Sequence, residues 1–529
     1  MTSKKRFLKQ NIVAEPLFNQ WYAWPYLIPP ASAAMYIANS HLQIMQSFVS
    51  APQGHISALK NPAMIGGPFI NYDAGKAPAI KRLIDQTLTE QKVMLDLATA
   101  IETLDRMLVD EASGYSMEAL YSKVPEILKG YVELVYDLHN NPSIRFLEGL
   151  LYRSEFYRPS SQSMALSEIN SDSRSFVFST PRLESDECLF INVPFNSAAI
   201  DDLFRMKSSP QSLEYIKDAL GIEKAAADRF DSFFTEEGPE PSRCFEGDGV
   251  RIRYFGHACL LIETRDVNLL IDPVISYKFN DEPGRLTFAD LPDRIDFVLI
   301  THSHQDHMMF ETLLQLRRQI KNIIVPRSLG GDRLDPSARL ILQTAGFSNV
   351  WELDEMDQIQ IPGGYLMGCP FLGEHCDLNI RTKLAYAVCL LGRKILAVAD
   401  SNNLESRLYQ HLQQIIGPID ALFIGMECDG APLSWLYGPL FTRPISRKND
   451  QSRRFDGSTC DKGMAIVELL KPKHVYVYAM GQEPWLSFLT SIHYTEDSRP
   501  IIESNRLVAE CLGRGLTAER LYGCKDLLL

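Results

Sequence analysis

The feature that most constrains this chain is an apolar run that leads into a cluster of histidines. The segment Ile295–Ile300 predicts a buried strand. The residues that follow, Thr301-His302-Ser303-His304-Gln305-Asp306-His307, place three imidazoles and a carboxylate within a single loop. A loop that leaves a rigid sheet can direct such side chains at one point. Imidazole and carboxylate groups together suit two neighbouring metal ions, so the sequence predicts a metal centre rather than an ordinary polar turn.

Length and composition narrow the class of protein. A chain of 529 residues with 45% hydrophobic side chains is long enough for two domains with large cores. Its formal net charge of −13 argues against nucleic-acid binding, which needs a basic surface. The basic start Met1–Arg6 is followed by apolar residues that Pro16, Pro25 and Pro29 interrupt, so we expect neither a signal peptide nor a membrane span. Ten cysteines without CxxC pairs indicate buried thiols in a reducing cytoplasm.

The pattern of predicted secondary structure changes near residue 245. Residues 1–245 predict a mainly helical α/β domain, with helical spacing over Ala79–Val109 and Met117–Leu138 and a strand-like patch at Ser175–Phe178. The polar, Pro/Gly-containing run Thr235–Ser242 predicts a linker. Residues 246–529 alternate strand-like and helix-like segments. The fold class is therefore α+β, with a second domain that carries the histidine cluster.

The order of motifs after the linker resembles the metallo-β-lactamase fold. A predicted hairpin over Arg251–Ile262 precedes the strand that ends in Asp272, and the histidine loop follows. The resemblance implies an αββα sandwich with its metals at one edge between two sheets. It implies that His302 and His304 hold one metal and that Asp306 and His307 hold the other. It also implies that Asp272 supports the loop through hydrogen bonds, as the acceptors behind ligating histidines usually do.

Two later positions of the family's ligand set are matched and one is not. Asp400, at the end of the apolar run Ile395–Ala399, matches the aspartate that bridges both metals. At the preceding ligand position Glu374 and His375 stand side by side, and either one could bind metal. The final histidine of the family is missing, since His474 lies at the wrong end of its strand. Such a carboxylate-rich ligand set favours iron or manganese over zinc.

Two further residues are weaker candidates for the same site. Glu427 follows an apolar strand and could serve as a ligand, as a hydrogen-bond partner or as a surface carboxylate. His257 lies at a position that is close to the metals in part of the superfamily, although a hydrogen-bonded core histidine is the simpler interpretation.

The pattern as a whole resembles the non-haem di-iron β-hydroxylases of nonribosomal peptide biosynthesis. The segments that carry this resemblance are the His302–His307 loop and Gly373-Glu374-His375-Cys376-Asp377-Leu378, together with the large N-terminal region. It implies an O2-dependent monooxygenase with two iron ions and an external electron donor. It implies that Glu374 joins His302 and His304 on one iron, and that Glu374 and Asp400 act directly in catalysis.

The same resemblance implies the substrate and the partners. The substrate is an aminoacyl group held as a thioester on the carrier domain of a nonribosomal peptide synthetase. A homodimer formed through the N-terminal domain is expected, with neither nucleic acid nor membrane as a partner. The alternative function is a binuclear zinc hydrolase of the metallo-β-lactamase fold. The hydroxylase must consume O2 and reductant together, whereas the hydrolase needs neither.

Overall fold

The computed structural model describes residues 5–240, 245–279 and 282–529. The predicted linker Thr235–Ser242 is described only as far as residue 240, and the start of the predicted basic N-terminus, residues 1–4, lies outside the described residues. The boundary at residue 245 stays a prediction.

The N-terminal part is built from helices around small antiparallel sheets. Strand order is β3-β2-β6-β7 in one sheet and β8-β1-β9 in another, with β4 and β5 forming a separate hairpin. These strands are β1 Lys5–Leu8, β2 Ile12–Phe18, β3 Trp21–Tyr22, β4 Val132–Tyr136, β5 Pro142–Phe146, β6 Gln162–Glu168, β7 Cys188–Ile191, β8 Gln211–Ser212 and β9 Phe234–Thr235. The helices are α1 Pro30–Tyr36, α2 Leu42–Ser50, α3 Pro52–Leu59, α4 Ala77–Glu90, α5 Lys92–Glu111, α6 Glu148–Leu151, α7 Ala198–Arg205, α8 Leu213–Leu220 and α9 Ala227–Ser232.

The C-terminal part is a sandwich of two seven-stranded sheets with helices outside, which confirms the predicted fold class. The first sheet has the order β15-β14-β13-β12-β11-β10-β23 and the second β16-β17-β18-β19-β20-β21-β22. The strands are β10 Arg251–Tyr254, β11 Leu260–Glu263, β12 Asn268–Ile271, β13 Ile295–Leu299, β14 Ile320–Pro326, β15 Val350–Leu353, β16 Gln358–Ile361, β17 Gly364–Cys369, β18 Ala385–Leu390, β19 Arg393–Ala397, β20 Ala421–Gly425, β21 His474–Tyr478, β22 Thr517–Arg520 and β23 Lys525–Leu528. The helices are α10 Phe310–Leu316, α11 Ala338–Thr344, α12 Arg407–Ile416, α13 Ser434–Tyr437, α14 Arg447–Ser452, α15 Cys460–Leu470, α16 Ser487–Thr490 and α17 Arg499–Gly513.

Three apolar layers hold the sandwich together. Between the sheets, inward side chains such as Ile262 and Phe423 are fully buried. Outside the second sheet, α12, α15 and α17 pack over side chains such as Leu396. The outer face of the first sheet, which includes Val298, shares one continuous core with the N-terminal part. The N-terminal region is thus packed against the first sheet, on the side that carries α10.

A buried ionic network crosses the same boundary. Glu311 on α10 accepts hydrogen bonds from Arg174 (2.6 Å) and from the hydroxyls of Tyr22 (3.0 Å) and Tyr277 (2.7 Å). Arg174 also pairs with Glu15 on β2, at 2.5 Å. Because α10 begins three residues after His307, this network ties the N-terminal part to the element that follows the histidine loop.

Some local predictions were wrong. Met117–Leu138 is not one helix: short 3-10 turns at Glu118–Lys123 and Glu126–Leu128 lead into β4. Pro125 and Gly130 interrupt a helix there, and β4 follows the period-two alternation of a strand. Ser175–Phe178 is not a strand, since the Val177 amide bonds instead to the carbonyl of Phe488 in the C-terminal part. The predicted helix Ala79–Val109 is present as α4 and α5, which are separated at Gln91.

Among the described residues, no helix is both long enough and apolar enough to cross a bilayer.

Candidate metal centre

The predicted ligands come together because several strands end at one edge of the sandwich. Strands β12, β13, β19 and β20 each belong to a parallel pair, so their carboxyl ends meet at that edge. Asp272 follows β12, the His302–His307 loop follows β13, and Asp400 and Glu427 follow β19 and β20. In the sequence, each of these positions shows the same pattern, an apolar run of a buried strand that is followed by a polar residue.

The backbone at this edge is held in unusual conformations. His257, Asp272, Glu374, Ala399 and Ala479 all have positive φ, between 41° and 64°. Left-handed conformations are costly for residues other than glycine and are retained where the surrounding structure determines them. Gly373, with φ of 78°, is required for another reason, because an added Cβ would lie 2.5 Å from the Cβ of Asn402. This close approach brings the Glu374 loop against the loop that follows Asp400.

One group of ligand atoms consists of His302, His304 and Glu374. His302 Nε2 lies 3.0 Å from His304 Nδ1, which in turn lies 3.1 Å from Glu374 Oε1. Metal–ligand bonds of about 2 Å place neighbouring donor atoms about 3 Å apart. The spacing therefore matches one coordination shell. All three side chains are buried.

A second group joins the other half of the loop to Asp400. His307 Nε2 lies 2.8 Å from Asp400 Oδ2, and His302 Nε2 lies 3.8 Å from the same oxygen. Asp306 shares a further group with His307 and His257, in which all ligand atoms are within 4.8 Å of one another. Asp400 therefore stands between the two halves of the site.

In His302 and His307, the Nδ1 atom takes part in a hydrogen bond, and the Nε2 atom faces the interior of the site. His302 Nδ1 is 3.0 Å from the Thr301 hydroxyl, and His307 Nδ1 is 2.8 Å from Asp272 Oδ2. Asp272 also accepts the Thr301 amide, at 2.7 Å, so it supports the loop in the role that its position in the sequence predicts. His302 Nε2 and His307 Nε2 are thereby left with a lone pair that faces the interior of the site.

His304 is oriented in the opposite sense by a residue that sequence reasoning missed. Its Nε2 lies 3.1 Å from the hydroxyl of Tyr437, which lies 2.8 Å from His375 Nδ1. If His304 Nδ1 binds a metal, His304 Nε2 carries the proton and donates to Tyr437, and the tyrosine hydroxyl donates to His375. His375 belongs to none of the ligand groups found among the described residues.

His257 lies against the site through Asp306. Its Nε2 is 3.3 Å from Asp306 Oδ2, and its Nδ1 accepts the amide of Gly481 at 3.1 Å. A neutral imidazole that accepts at Nδ1 carries its proton at Nε2, so His257 faces Asp306 as a donor. Gly481 occupies the region after β21 where the superfamily's last histidine was expected. In this chain, the position of the superfamily's last histidine is therefore occupied by the Gly481 amide and its partner His257.

Comparison with known proteins identifies the family. The N-terminal part matches a family model described as "Diiron non-heme beta-hydroxylase N-terminal domain" over residues 7–238, and residues 251–368 match a "Beta-lactamase superfamily domain". The chain is 38% identical over 526 residues to the 4-amino-L-phenylalanyl-[CmlP-peptidyl-carrier-protein] 3-hydroxylase of Streptomyces venezuelae, covering 97% of this chain and 98% of that protein. It belongs to the diiron non-heme β-hydroxylase family.

Solved structures agree with this assignment along the whole chain. The crystal structure of CmlA, a diiron β-hydroxylase from Streptomyces venezuelae, superposes with a TM-score of 0.94 at 36% identity and covers all of both chains. A glutamate-to-aspartate variant of the CmlA β-hydroxylase superposes with a TM-score of 0.92 at 37% identity, covering 99% of this chain and all of that one. The zinc hydrolase alternative is not favoured, because the near full-length relatives are hydroxylases.

This β-hydroxylase is an oxidoreductase whose cofactor is a pair of iron ions, with O2 and an electron donor as co-reactants, and its side chains fit that cofactor. Asp400 Oδ1 is buried and has no hydrogen-bond partner among the residues that the structure describes, and it belongs to the carboxylate whose other oxygen lies 2.8 Å from His307 Nε2. The donor set of imidazoles and carboxylates also suits iron. Both observations indicate that the loop is built around cations.

The electrostatics of the site point the same way. Burial, together with the charges of Asp400 and Asp306, raises the pKa of Glu374 well above its ordinary value. Burial lowers the pKa of His304 to about 4, although Asp306 opposes that change. Burial also acts against a charge on His307, but Asp400 and Asp272 outweigh it and raise the pKa of that imidazole. The carboxylates that favour a positive charge at His307 would equally stabilise a metal cation.

A cavity of about 600 Å³ opens over these ligands. Asp306, Glu374 and Asp400 form part of its lining, and Glu427 lies on the same wall. Burial, followed by the charges of Asp400 and Glu374, raises the pKa of Glu427 well above its ordinary value. Glu427 belongs to none of the ligand groups among the described residues, so its role as a ligand stays a prediction.

Proposed function

We propose that this enzyme hydroxylates the β-carbon of an aminoacyl group that is tethered as a thioester to the carrier domain of a nonribosomal peptide synthetase. The S. venezuelae relative, whose name gives a 4-amino-L-phenylalanyl group on a peptidyl carrier protein, is similar over nearly the full length of both chains. The observation that carries the proposal is the cavity directly over the carboxylate-rich metal edge, which gives an acyl group access to the site. The product would serve antibiotic or other secondary-metabolite biosynthesis.

The proposed ligand set divides the site into two halves. His302, His304 and Glu374 would hold one iron, Asp306 and His307 would hold the other, and Asp400 would serve both. The donor spacings near 3 Å in the first half and the position of Asp400 next to His307 support this division. Glu374 is favoured over His375 because Glu374 Oε1 lies 3.1 Å from His304 Nδ1 within one ligand group, whereas His375 belongs to no such group among the described residues.

The protein's own residues orient the ligands and shape the cavity. The iron pair supplies the activation of O2 that C–H oxygenation requires. Phe69, Trp435 and Phe455 give the cavity an aromatic surface. Their rings favour an aromatic acyl side chain, since aromatic rings pair by stacked or edge contacts.

The remaining partners are predictions of the same proposal. An electron donor must deliver two electrons for each O2 that is consumed, and the carrier domain must present the thioester at the cavity. A homodimer and a cytoplasmic location also stay predictions. The predicted helical faces of α4 and α5 do not by themselves supply a dimer contact, because side chains such as Leu83 and Leu104 are buried within this chain.

The experiment that tests the proposal uses iron-loaded enzyme, a carrier domain loaded with single amino acids, O2 and a chemical reductant. Intact-carrier mass spectrometry should show the gain of one oxygen atom, with an aromatic aminoacyl group preferred over an aliphatic one. The matched control is the same amino acid free in solution, which should remain unmodified. If every loaded carrier keeps its original mass while O2 and reductant are present, the proposal is wrong.

A further inference from the structure

A second cavity, of about 550 Å³, lies next to the one over the metals. The two cavities share a wall made by the loop Gly66–Phe69 together with Pro432 and Trp435. Trp435 Nε1 donates to the carbonyl of Gly66 at 3.1 Å, which joins the loop of the N-terminal part to α13. The second cavity is thus a neighbour of the catalytic one and is built from both parts of the chain.

The two cavities differ sharply in charge. The metal cavity is lined by several carboxylates, whereas the residues that line the second cavity include no Asp, Glu, Lys or Arg. Its polar groups are hydroxyls and amides, from Asn39, Ser40 and Gln43 among others, and its apolar side includes Phe176 and Phe178. Burial lowers the pKa of His41, which also lines it, to about 3, so this imidazole is neutral. The cavity therefore suits a long, uncharged ligand that has both amide and aliphatic groups.

The backbone beside this cavity is unusual. Residues Ile37–His41 form a π-helical turn between α1 and α2, in which the amide of Leu42 bonds to the carbonyl of Ile37. Such turns are rare and occur often at functional sites, where they change the direction of side chains. This turn carries Asn39, whose side-chain amide donates at 3.1 Å to the carbonyl of Pro439, another residue that lines the cavity.

We propose that the second cavity binds the pantetheine portion of the carrier's prosthetic arm. This inference rests on the proposed function. Pantetheine is an uncharged chain of two amides, a hydroxyl and a dimethyl-substituted carbon, which matches hydroxyl, amide and aromatic walls without ionised groups. The shared wall at Phe69 and Trp435 then lies beside the thioester, and the aminoacyl group with its ammonium enters the acidic cavity over the metals.

A binding experiment with pantetheine itself tests the site. S-methyl pantetheine is titrated into iron-loaded wild-type enzyme and into Gln43→Phe and Ser40→Phe by calorimetry. Both substitutions put a bulky ring at a lining residue, so we expect affinity to fall at least tenfold. Gln46→Phe is the matched control, because Gln46 is an exposed residue of the same helix that does not line the cavity. Absence of binding to wild type, or equal binding by wild type, Gln43→Phe and Ser40→Phe, would overturn the proposal.

A second measurement separates this inference from the proposed function. KM is compared for an aminoacyl-pantetheine thioester and for the corresponding N-acetylcysteamine thioester, which lacks most of the arm. Gln43→Phe should raise KM for the first substrate and leave KM for the second unchanged. If wild type hydroxylates the carrier-bound group but Gln43→Phe changes neither KM, the cavity assignment fails and the function stands. If wild type hydroxylates nothing yet binds pantetheine in a manner that Gln43→Phe abolishes, the function fails and the binding site stands.

Discussion

Tyr437→Phe should weaken iron binding without altering any proposed ligand. The hydroxyl of Tyr437 is fully buried and lies between His304 Nε2 at 3.1 Å and His375 Nδ1 at 2.8 Å. Its removal leaves a buried imidazole donor and a buried imidazole acceptor unpaired in a site of nearly unchanged shape. Each unpaired buried group costs about 1–3 kcal/mol, so the loss of both hydrogen bonds should lower the free energy of unfolding by about 2–6 kcal/mol. Loss of a hydrogen bond behind a ligating histidine typically lowers metal affinity by about 10–100-fold.

The assay is competition for iron with chelators of graded affinity, together with the optical spectrum of the iron-loaded variant. We expect iron to be released to a chelator that wild type resists, and a shifted absorption band, because His304 is no longer held in one orientation. Tyr386→Phe is the matched control: Tyr386 is also fully buried, but its hydroxyl donates to the backbone carbonyl of Ile300, at 2.9 Å. That variant should lose stability and keep its iron. If Tyr437→Phe binds iron as tightly as wild type, with an unchanged spectrum, the positioning role assigned to Tyr437 is refuted.

Three further predictions follow from other contacts. Glu374→His should shift the bound metal from iron towards zinc in elemental analysis and abolish hydroxylation; retained activity would contradict the ligand assignment. Arg174→Met leaves Glu311 and Glu15 without their shared partner and should cost about 3–5 kcal/mol in a denaturant titration, whereas Lys92→Met, which breaks an exposed pair, should cost under about 1 kcal/mol. Burial lowers the pKa of Lys207 from 10.5 to about 7, so the unfolded state binds its proton more tightly and wild-type stability should rise with pH across that range. Lys207→Met lacks this slope and should have the higher Tm at pH 7, by a margin that shrinks towards pH 10; a margin independent of pH would contradict the assignment.

The parts of the fold and site that could be predicted from sequence are those carried by short segments. The run Ile295–Ile300 and the loop to His307 are contiguous, so one pattern predicts both the strand β13 and the candidate ligands. Asp400 could be predicted for the same reason, since an apolar strand ends just before it. Met117–Leu138 was misjudged because its apolar spacing suits a helix as well as the turn-and-strand structure that it adopts.

What escaped prediction depends on contacts between distant segments. Tyr437 is separated by 133 residues from His304 and by 62 residues from His375 along the sequence, and no local pattern predicts either contact. The choice between Glu374 and His375 could not be made from the residues themselves, because neighbours in a loop point in different directions that only the fold determines. The second cavity likewise combines the 37–41 turn with α13, at opposite ends of the chain.

We propose that this site oxygenates a carrier-bound aminoacyl group by means of two irons. The most direct test is one intact-mass measurement of a loaded carrier domain after reaction with iron-loaded enzyme, O2 and reductant, run beside enzyme loaded with zinc. We expect the carrier to gain one oxygen atom with the iron enzyme and to keep its mass with the zinc enzyme. Release of the amino acid from the carrier by the zinc-loaded enzyme, with no oxygen gained in either reaction, would contradict this proposal.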